Sequence, residues 1–118
     1  MEDFLDNCHG GNLNVVRGAV GRGVDVNSVN SIGNCGLMLA VSSRHNQLVE
    51  WLLQQPAIDV SRRGSGGQTA LHRAVGGYNP TLLSLLLAHP TADPTGRNNE
   101  GRTPLELCRW GTGRQGET

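Results

Sequence analysis

The sequence predicts an all-α solenoid built from repeated helix pairs, and three observations support that fold class. Asp25, Asp59 and Asp93 recur at a spacing of 34 residues, and several other series share this interval. Each interval holds two short apolar stretches with helical periodicity and one polar, glycine-rich stretch. Aromatic residues make up only 3% of the 118-residue chain, which suits helices packed through Ala, Leu and Val. Because two short helices cannot bury their apolar faces alone, identical units are expected to stack.

The shared interval does not depend on a single residue type. The further series are Gly33, Gly67 and Gly101; Leu37, Leu71 and Leu105; Ala40, Ala74 and Cys108; and Leu52-Leu53 with Leu86-Leu87. Independent series with one period indicate a true internal repeat.

The stretch from Thr69 to Pro90 shows how one unit is built. Thr69 is an N-cap residue for a first helix whose apolar stripe is Leu71, Ala74 and Val75. Residues 76–79 end that helix, and Pro80 suits the first turn of a second, leucine-rich helix. The polar residues 93–101 then predict an exposed turn. Each unit is therefore an antiparallel helix pair with a protruding turn.

Applied to the whole chain, this pattern predicts one repeat domain over residues 1–111. Residues 1–27 form a partial first unit, residues of about 28–61 and 62–95 form two complete units, and residues 96–111 form a partial capping unit. The glycine-rich residues 112–118 are expected to be a flexible tail.

These motifs resemble the ankyrin repeat family over most of the chain. Its turn glycine and T-P-L-H-x-A stretch are matched by Gly67-Gln68-Thr69-Ala70-Leu71-His72-Arg73-Ala74, and Gly101-Arg102-Thr103-Pro104-Leu105 begins the next copy. Val24-Asp25-Val26-Asn27 and Leu48-Val49-Glu50-Trp51-Leu52-Leu53 match the remaining stretches. The resemblance implies antiparallel helix pairs with β-turn or hairpin loops. It also implies a structural role for Gly67, Thr69, Leu71, His72, Ala74, Gly101 and Thr103.

Three departures from the family pattern lead to expectations of their own. Residues 35–38 read Cys-Gly-Leu-Met, so the first helix of that unit should be the least firmly capped. Gly64 stands where the neighbouring turns have Asn30 and Asn98, which predicts a more flexible turn. Residues 54–59 and 88–93 each carry one extra residue, which lengthens the usual period of about 33 residues.

The resemblance also implies a binding surface, because the turn tips and the first helices of such a stack line one concave groove. The predicted contact residues are Val29, Ser31, Ile32 and Asn34; Arg63, Ser65 and Gln68; Arg97, Asn99, Glu100 and Arg102; and Ser42, Ser43, Arg73 and Trp110 of the first helices. The side chains at these positions are expected not to pack in the core. Because the family uses this groove to bind other proteins, the resemblance implies a non-catalytic, intracellular protein-interaction module.

The chemistry of these positions suggests the kind of partner. Val29 and Ile32 place apolar side chains on a tip that would normally be polar. Five arginines, opposed mainly by Glu100, follow on the next two tips: Arg62, Arg63, Arg73, Arg97 and Arg102. A partner segment with an apolar anchor followed by acidic residues is therefore expected. The alternative is a solvated polar rim.

Composition argues against several other functions. Ten basic and ten acidic residues balance, so neither nucleic acid nor an anionic membrane is an expected partner. Three widely spaced cysteines favour a reducing compartment over a disulfide framework. Cys8-His9, His45 and His89 do not form a ligand set with metal-site spacing, and residues 64–67 lack the Lys-Ser/Thr of a phosphate loop. We therefore expect no metal, no cofactor and no catalytic residues.

Other functional assignments remain open on the sequence alone. The chain could be a regulatory or targeting segment of a larger repeat protein, or an enzyme or metal protein built on the repeats. The chain is expected to be a monomer, or a weak homo-oligomer that associates through open repeat ends. Trp110 is expected to cover the exposed end of the last unit.

Overall fold

The structure, a computed structural model, describes residues 4–77 and 79–107. Within those residues the chain folds into α-helices joined by turns, without a named strand, which confirms the predicted all-α class. The helices are α1 (Phe4–Gly10), α2 (Leu13–Gly21), α3 (Gly36–Ser42), α4 (Asn46–Leu53), α5 (Ala70–Gly76) and α6 (Pro80–Leu87). A single 3-10 turn spans Ser65–Gly67, and residues 104–107 are helical. The predictions for Cys108, for Trp110 and for the tail at 112–118 lie outside the described residues.

The helices form two layers of stacked pairs. Helix α1 packs against α2, α3 against α4, and α5 against α6, so each unit contributes one hairpin. The first helices stack in the order α1, α3, α5, and α4 stacks on α6 in the second layer. The apolar residues at the repeated positions Leu37 and Leu71 are fully buried between these layers. Stacking therefore buries what a single pair would expose.

The stack is tightest where α1 meets α3. A Cβ atom at Gly36 would lie 2.7 Å from the Cys8 sulfur and 3.3 Å from the Phe4 ring. Glycine at this position thus lets the two helices approach closely, and Cys8 is fully buried in the core. Gly36, one of the residues that depart from the family's T-P-L-H stretch, therefore has a packing role.

The repeated glycines at one point of each turn have a common backbone conformation. Gly33, Gly67 and Gly101 have φ angles of +87°, +70° and +80°. Side chains with a Cβ atom rarely adopt this left-handed conformation, so glycine recurs there at every repeat.

The caps of the first helices differ among units. In α5, the Thr69 hydroxyl accepts from the His72 N–H, and the His72 ring accepts from the Thr69 N–H. Cys35 provides no side-chain cap for α3, as expected, but the N-cap residues of α2 and α4 provide none either. The absence of a side-chain cap is therefore not peculiar to α3, because α2 and α4 also lack one.

The loops with an extra residue are bonded to the preceding unit. The Asn27 amide donates to the Ala57 carbonyl at 2.7 Å and accepts from the Asp59 N–H at 3.0 Å. One unit later, the Val60 N–H donates to the Thr91 hydroxyl at 3.0 Å. Positions 57 and 91 are equivalent, so both lengthened loops accept a hydrogen bond from the preceding unit at the same position, through the Ala57 carbonyl in one and the Thr91 hydroxyl in the other.

Candidate functional site

Three protruding turns lie side by side along one edge of the stack. We name them tip 1 (residues 29–34), tip 2 (63–68) and tip 3 (97–102). Each is closed by a backbone hydrogen bond across the turn, of which Asn30 N–H to the Asn34 carbonyl, at 2.9 Å, is the first. The equivalent bonds in tips 2 and 3 measure 2.8 Å each. The sequence repeat therefore produces one turn geometry three times.

Neighbouring tips are hydrogen-bonded to each other as well. The Ser65 N–H donates to the Asn34 side-chain oxygen at 2.8 Å, which joins tip 2 to tip 1. The Asn99 N–H donates to the Gly66 carbonyl at 2.9 Å, which joins tip 3 to tip 2. The three tips thus form one continuous rim.

Gly64 has a role that differs from the expected one. In tips 1 and 3, the side chain of Asn30 or Asn98 accepts N–H groups of its own turn. In tip 2 the side-chain oxygen of Asn34, from the preceding unit, accepts the Ser65 N–H instead. This oxygen lies 2.3 Å from where a Cβ of Gly64 would be. Glycine is required at this position by the close approach of Asn34 and Met38. Flexibility is not needed to explain it.

Asn34 and Arg73 are not free groove residues, and the expectation that they lack packing duty is wrong. Asn34 is only 5% exposed. The Arg73 guanidinium is half-buried and donates to the Asn34 oxygen at 2.7 Å and to the Ser42 hydroxyl at 3.1 Å. Burial lowers the pKa of Arg73 from its ordinary value. The polar atoms of both residues serve to join two units, which sequence position alone did not indicate.

The arginines of tip 3 already have acidic neighbours. Arg97 lies 3.3 Å from the Glu106 carboxylate and donates to the Gly101 carbonyl at 2.7 Å, and Arg102 lies 3.7 Å from Glu100. The expectation that Glu100 is the main opposing acid therefore omitted Glu106.

Glu106 also caps the last described helix. Its carboxylate accepts from the Thr103 N–H at 2.9 Å, and the Thr103 hydroxyl accepts from the Glu106 N–H at 3.1 Å. The Thr103 N–H, and to a smaller degree Arg97, lower the pKa of this carboxyl. The sequence contains the Thr-x-x-Glu spacing of a capping box at residues 103–106, and this spacing could have identified Glu106 as a capping residue.

The apolar and cationic side chains that remain available are concentrated on tips 1 and 2. Val29 is 40% exposed and Ile32 is 63% exposed. Arg62 and Arg63 are exposed and form no ion pair within residues 4–77 and 79–107. Of the other predicted contact residues, Ser31, Ser42, Ser65, Arg97, Asn99 and Glu100 are exposed, and Ser43, Gln68 and Arg102 are half-buried. Trp110 lies outside the described part of the chain.

The imidazole of His72 connects its own unit to the next. It is 1% exposed, and Nδ1 accepts from the Thr69 N–H at 3.0 Å. Nδ1 therefore carries no proton in this arrangement, and Nε2 donates to the Arg102 carbonyl at 2.8 Å. Leu71 and Ala74 are buried on the same helix. This geometry places Thr69 and His72 at the junction of α5 and tip 3.

A comparison with protein-family models finds one match along most of the chain. The model described as "Ankyrin repeats (3 copies)" matches residues 7–98 and, in a second alignment, residues 37–114. The chain belongs to the ankyrin repeat family. A comparison with curated proteins finds no match.

Membership in this family gives a coarse function. Ankyrin repeats generally mediate protein–protein interactions and are typically non-catalytic modules. They are common in intracellular proteins. None of the helices that the structure describes is long and apolar enough to cross a membrane.

The potentially reactive side chains of this ankyrin stack have structural surroundings. Cys8 and Cys35 are buried cysteines outside any disulfide, and burial raises the pKa of Cys35, which disfavours its reactive thiolate. The His45 ring lies 2.9 Å from the His9 carbonyl, and the His89 ring accepts from the Thr91 N–H at 3.1 Å. Within the described ranges, no three His, Cys, Asp or Glu residues are grouped as metal ligands would be. These side chains are used to join loops and fill the core.

Proposed function

We propose that this ankyrin domain binds a protein segment that carries an apolar anchor followed by acidic residues, along tips 1 and 2. The observation that carries the proposal is that the tip with the exposed Ile32 is joined to tip 2, where Arg63 and the preceding Arg62 are exposed and form no ion pair with any residue that the structure describes. Adjacent tips in this stack are joined by the Asn34 to Ser65 hydrogen bond, so the two kinds of side chain belong to one surface.

The apolar part of this surface is held in place by its backbone. The Ile32 N–H donates to the Asn30 side chain at 3.1 Å, and Val29 pairs with Cys35 in an isolated β-bridge. An apolar side chain on a fixed turn loses little conformational freedom when it is covered by a partner. Val29 and Ile32 are therefore suited to accept an apolar anchor.

The cationic part of the surface contains fewer arginines than the five that the sequence predicted. Arg73 donates to Asn34 and Ser42, while Arg97 and Arg102 have acidic neighbours. Arg62 and Arg63 are exposed and form no ion pair among the described residues, although Arg63 is near enough to lower the pKa of the Asp93 carboxyl. A guanidinium binds a carboxylate through two parallel hydrogen bonds. Acidic residues of the partner are thus expected to contact tip 2 more than tip 3.

The test is an affinity capture from lysate with the parent domain and single-site variants. Ile32→Asp and Arg63→Glu should each reduce capture of the same protein, whereas Arg97→Glu should have a smaller effect because Arg97 is already paired. Leu87→Asp on α6 and Arg17→Glu on α2 are matched controls, since both side chains are exposed on second helices. Circular dichroism must show equal helicity for all variants. Equal capture by the parent, Ile32→Asp and Arg63→Glu would contradict the proposal.

A second candidate function rests on Leu105. This residue is 68% exposed, whereas the equivalent Leu37 and Leu71 are fully buried by their neighbouring helices. An apolar side chain at a normally buried repeat position favours contact with a further repeat, such as one from a second copy. Sedimentation of the parent and of Leu105→Ser over a range of concentrations tests this; association that is unchanged by the substitution would argue against it.

A further inference from the structure

We propose that Ser65 is a phosphorylation site for protein kinases that select arginines before the acceptor residue. Ser65 follows Arg62-Arg63-Gly64, so two arginines lie at the second and third preceding positions. No other serine or threonine of the sequence has arginines at both positions. Kinases of this class carry carboxylates that bind these two guanidinium groups through charge-assisted hydrogen bonds.

The structure leaves the acceptor and both recognition side chains accessible. Ser65 is exposed, and its hydroxyl makes no hydrogen bond within the described residues. Arg62 and Arg63 are exposed and form no ion pair there, so a kinase would not have to break a salt bridge to bind them, although Arg63 attracts the exposed Asp93 carboxylate over a longer distance.

The backbone just before the acceptor is suited to a kinase cleft, which binds its substrate as an extended segment. The backbone groups of Arg62 and Arg63 make no hydrogen bonds within residues 4–77 and 79–107. Gly64 and Gly66 flank the acceptor, and Gly66 lies in the left-handed region at φ +71°. At the acceptor itself, the Ser65 N–H donates to Asn34 and the Gly66 carbonyl accepts from Asn99, so these contacts between tips must be released for the segment to extend.

The chemical step is a phosphoryl transfer from ATP supplied with Mg²⁺. The Ser65 hydroxyl oxygen forms a bond to the γ-phosphorus as the bond from that phosphorus to the β,γ-bridging oxygen breaks, and ADP leaves. The hydroxyl proton passes to the catalytic carboxylate of the kinase. The product carries a charge of about −1.5 to −2 beside Arg62 and Arg63.

This charge would largely cancel the cationic part of the surface. The consequence for binding rests on the proposed function, because it requires that Arg62 and Arg63 contact an acidic partner. Phosphate incorporation itself does not depend on any partner, so phosphorylation of Ser65 and its effect on partner binding can be measured separately.

Incorporation is tested on the full chain with an arginine-directed kinase, Mg·ATP and site mapping by mass spectrometry. Ser65→Ala should abolish incorporation. Ser31→Ala should leave it unchanged, since Ser31 is the exposed tip serine 34 residues earlier and lacks preceding arginines. Changing Arg62 and Arg63 to Gln should lower the rate by roughly tenfold or more, because two charge-assisted hydrogen bonds are lost.

Two outcomes would overturn the site. One is phosphate that maps elsewhere or that persists in Ser65→Ala. The other is incorporation into an unfolded variant, such as Leu71→Asp, with none in the folded parent. Phosphate on Ser65 with unchanged partner capture would support the site and contradict the acidic part of the proposed function.

Discussion

The side-chain oxygen of Asn34 lies 2.7 Å from a guanidinium nitrogen of Arg73, and the two residues belong to consecutive repeats. The same oxygen accepts the Ser65 N–H at 2.8 Å. One amide thus orders tip 2 and fixes Arg73 against the preceding unit. The rim that we propose as a binding surface depends on this junction for its shape.

Loss of this amide should destabilise the stack. Asn34→Ala leaves a half-buried guanidinium and a backbone N–H without their acceptor, so we expect a loss of about 1–3 kcal/mol in the free energy of unfolding. Asn34→Asp keeps an acceptor and adds a charge that attracts Arg73, so it should cost less than Asn34→Ala. Urea unfolding followed by circular dichroism measures both. The same loss in both variants would show that the acceptor is not what matters at position 34.

Glycine at position 64 should be difficult to replace. A Cβ there would lie 2.3 Å from the Asn34 oxygen and 2.6 Å from the Met38 sulfur, so Gly64→Ala should cost about 1–3 kcal/mol. Gly76 is the matched control, since a Cβ at this α5 position meets nothing within 4 Å. Gly76→Ala should be neutral or stabilising by up to about 1 kcal/mol. Thermal unfolding of the two variants decides; a harmless Gly64→Ala would mean that tips 1 and 2 are not in close contact.

The Glu106 carboxyl should titrate below the ordinary glutamate pKa of about 4.3. The Thr103 N–H is the larger cause, so Arg97→Gln should raise this pKa while leaving it below the ordinary value. A lowered folded pKa means that the stabilising contribution is present above the ordinary pKa and is lost as pH falls through the folded one. An NMR titration of the carboxyl carbon checks this, and a value at or above the ordinary pKa would contradict the capping contact. Glu106→Gln keeps an acceptor but should remove this part of the acid sensitivity.

The local and periodic parts of the structure were predictable from the sequence. The 34-residue interval predicts the turns in which Gly33, Gly67 and Gly101 have positive φ angles. The Thr69 to His72 spacing predicts the cap of α5, because both partners lie within one helical turn. Such features depend on residues that are close in sequence or that recur at one interval.

The parts that were missed depend on contacts between units. Asn34 meets Ser65 and Arg73 at separations of 31 and 39 residues, and no local pattern distinguishes it from an exposed tip residue. Gly64 was interpreted as a flexible residue because its neighbour across the repeat was not known. The sequence therefore located the candidate surface but could not tell which of its polar side chains were already occupied.

The central claim, that tips 1 and 2 form the protein-binding surface, is tested most directly by site-specific photo-crosslinking in lysate. A photoreactive phenylalanine analogue is placed singly at position 32, at position 65, or at position 87 on the second-helix side. We predict adducts to the same protein from positions 32 and 65, with none from position 87, and loss of these adducts when Arg62 and Arg63 are changed to Glu. Adducts formed from position 87 alone, equally from all three positions, or from none of them would contradict the account.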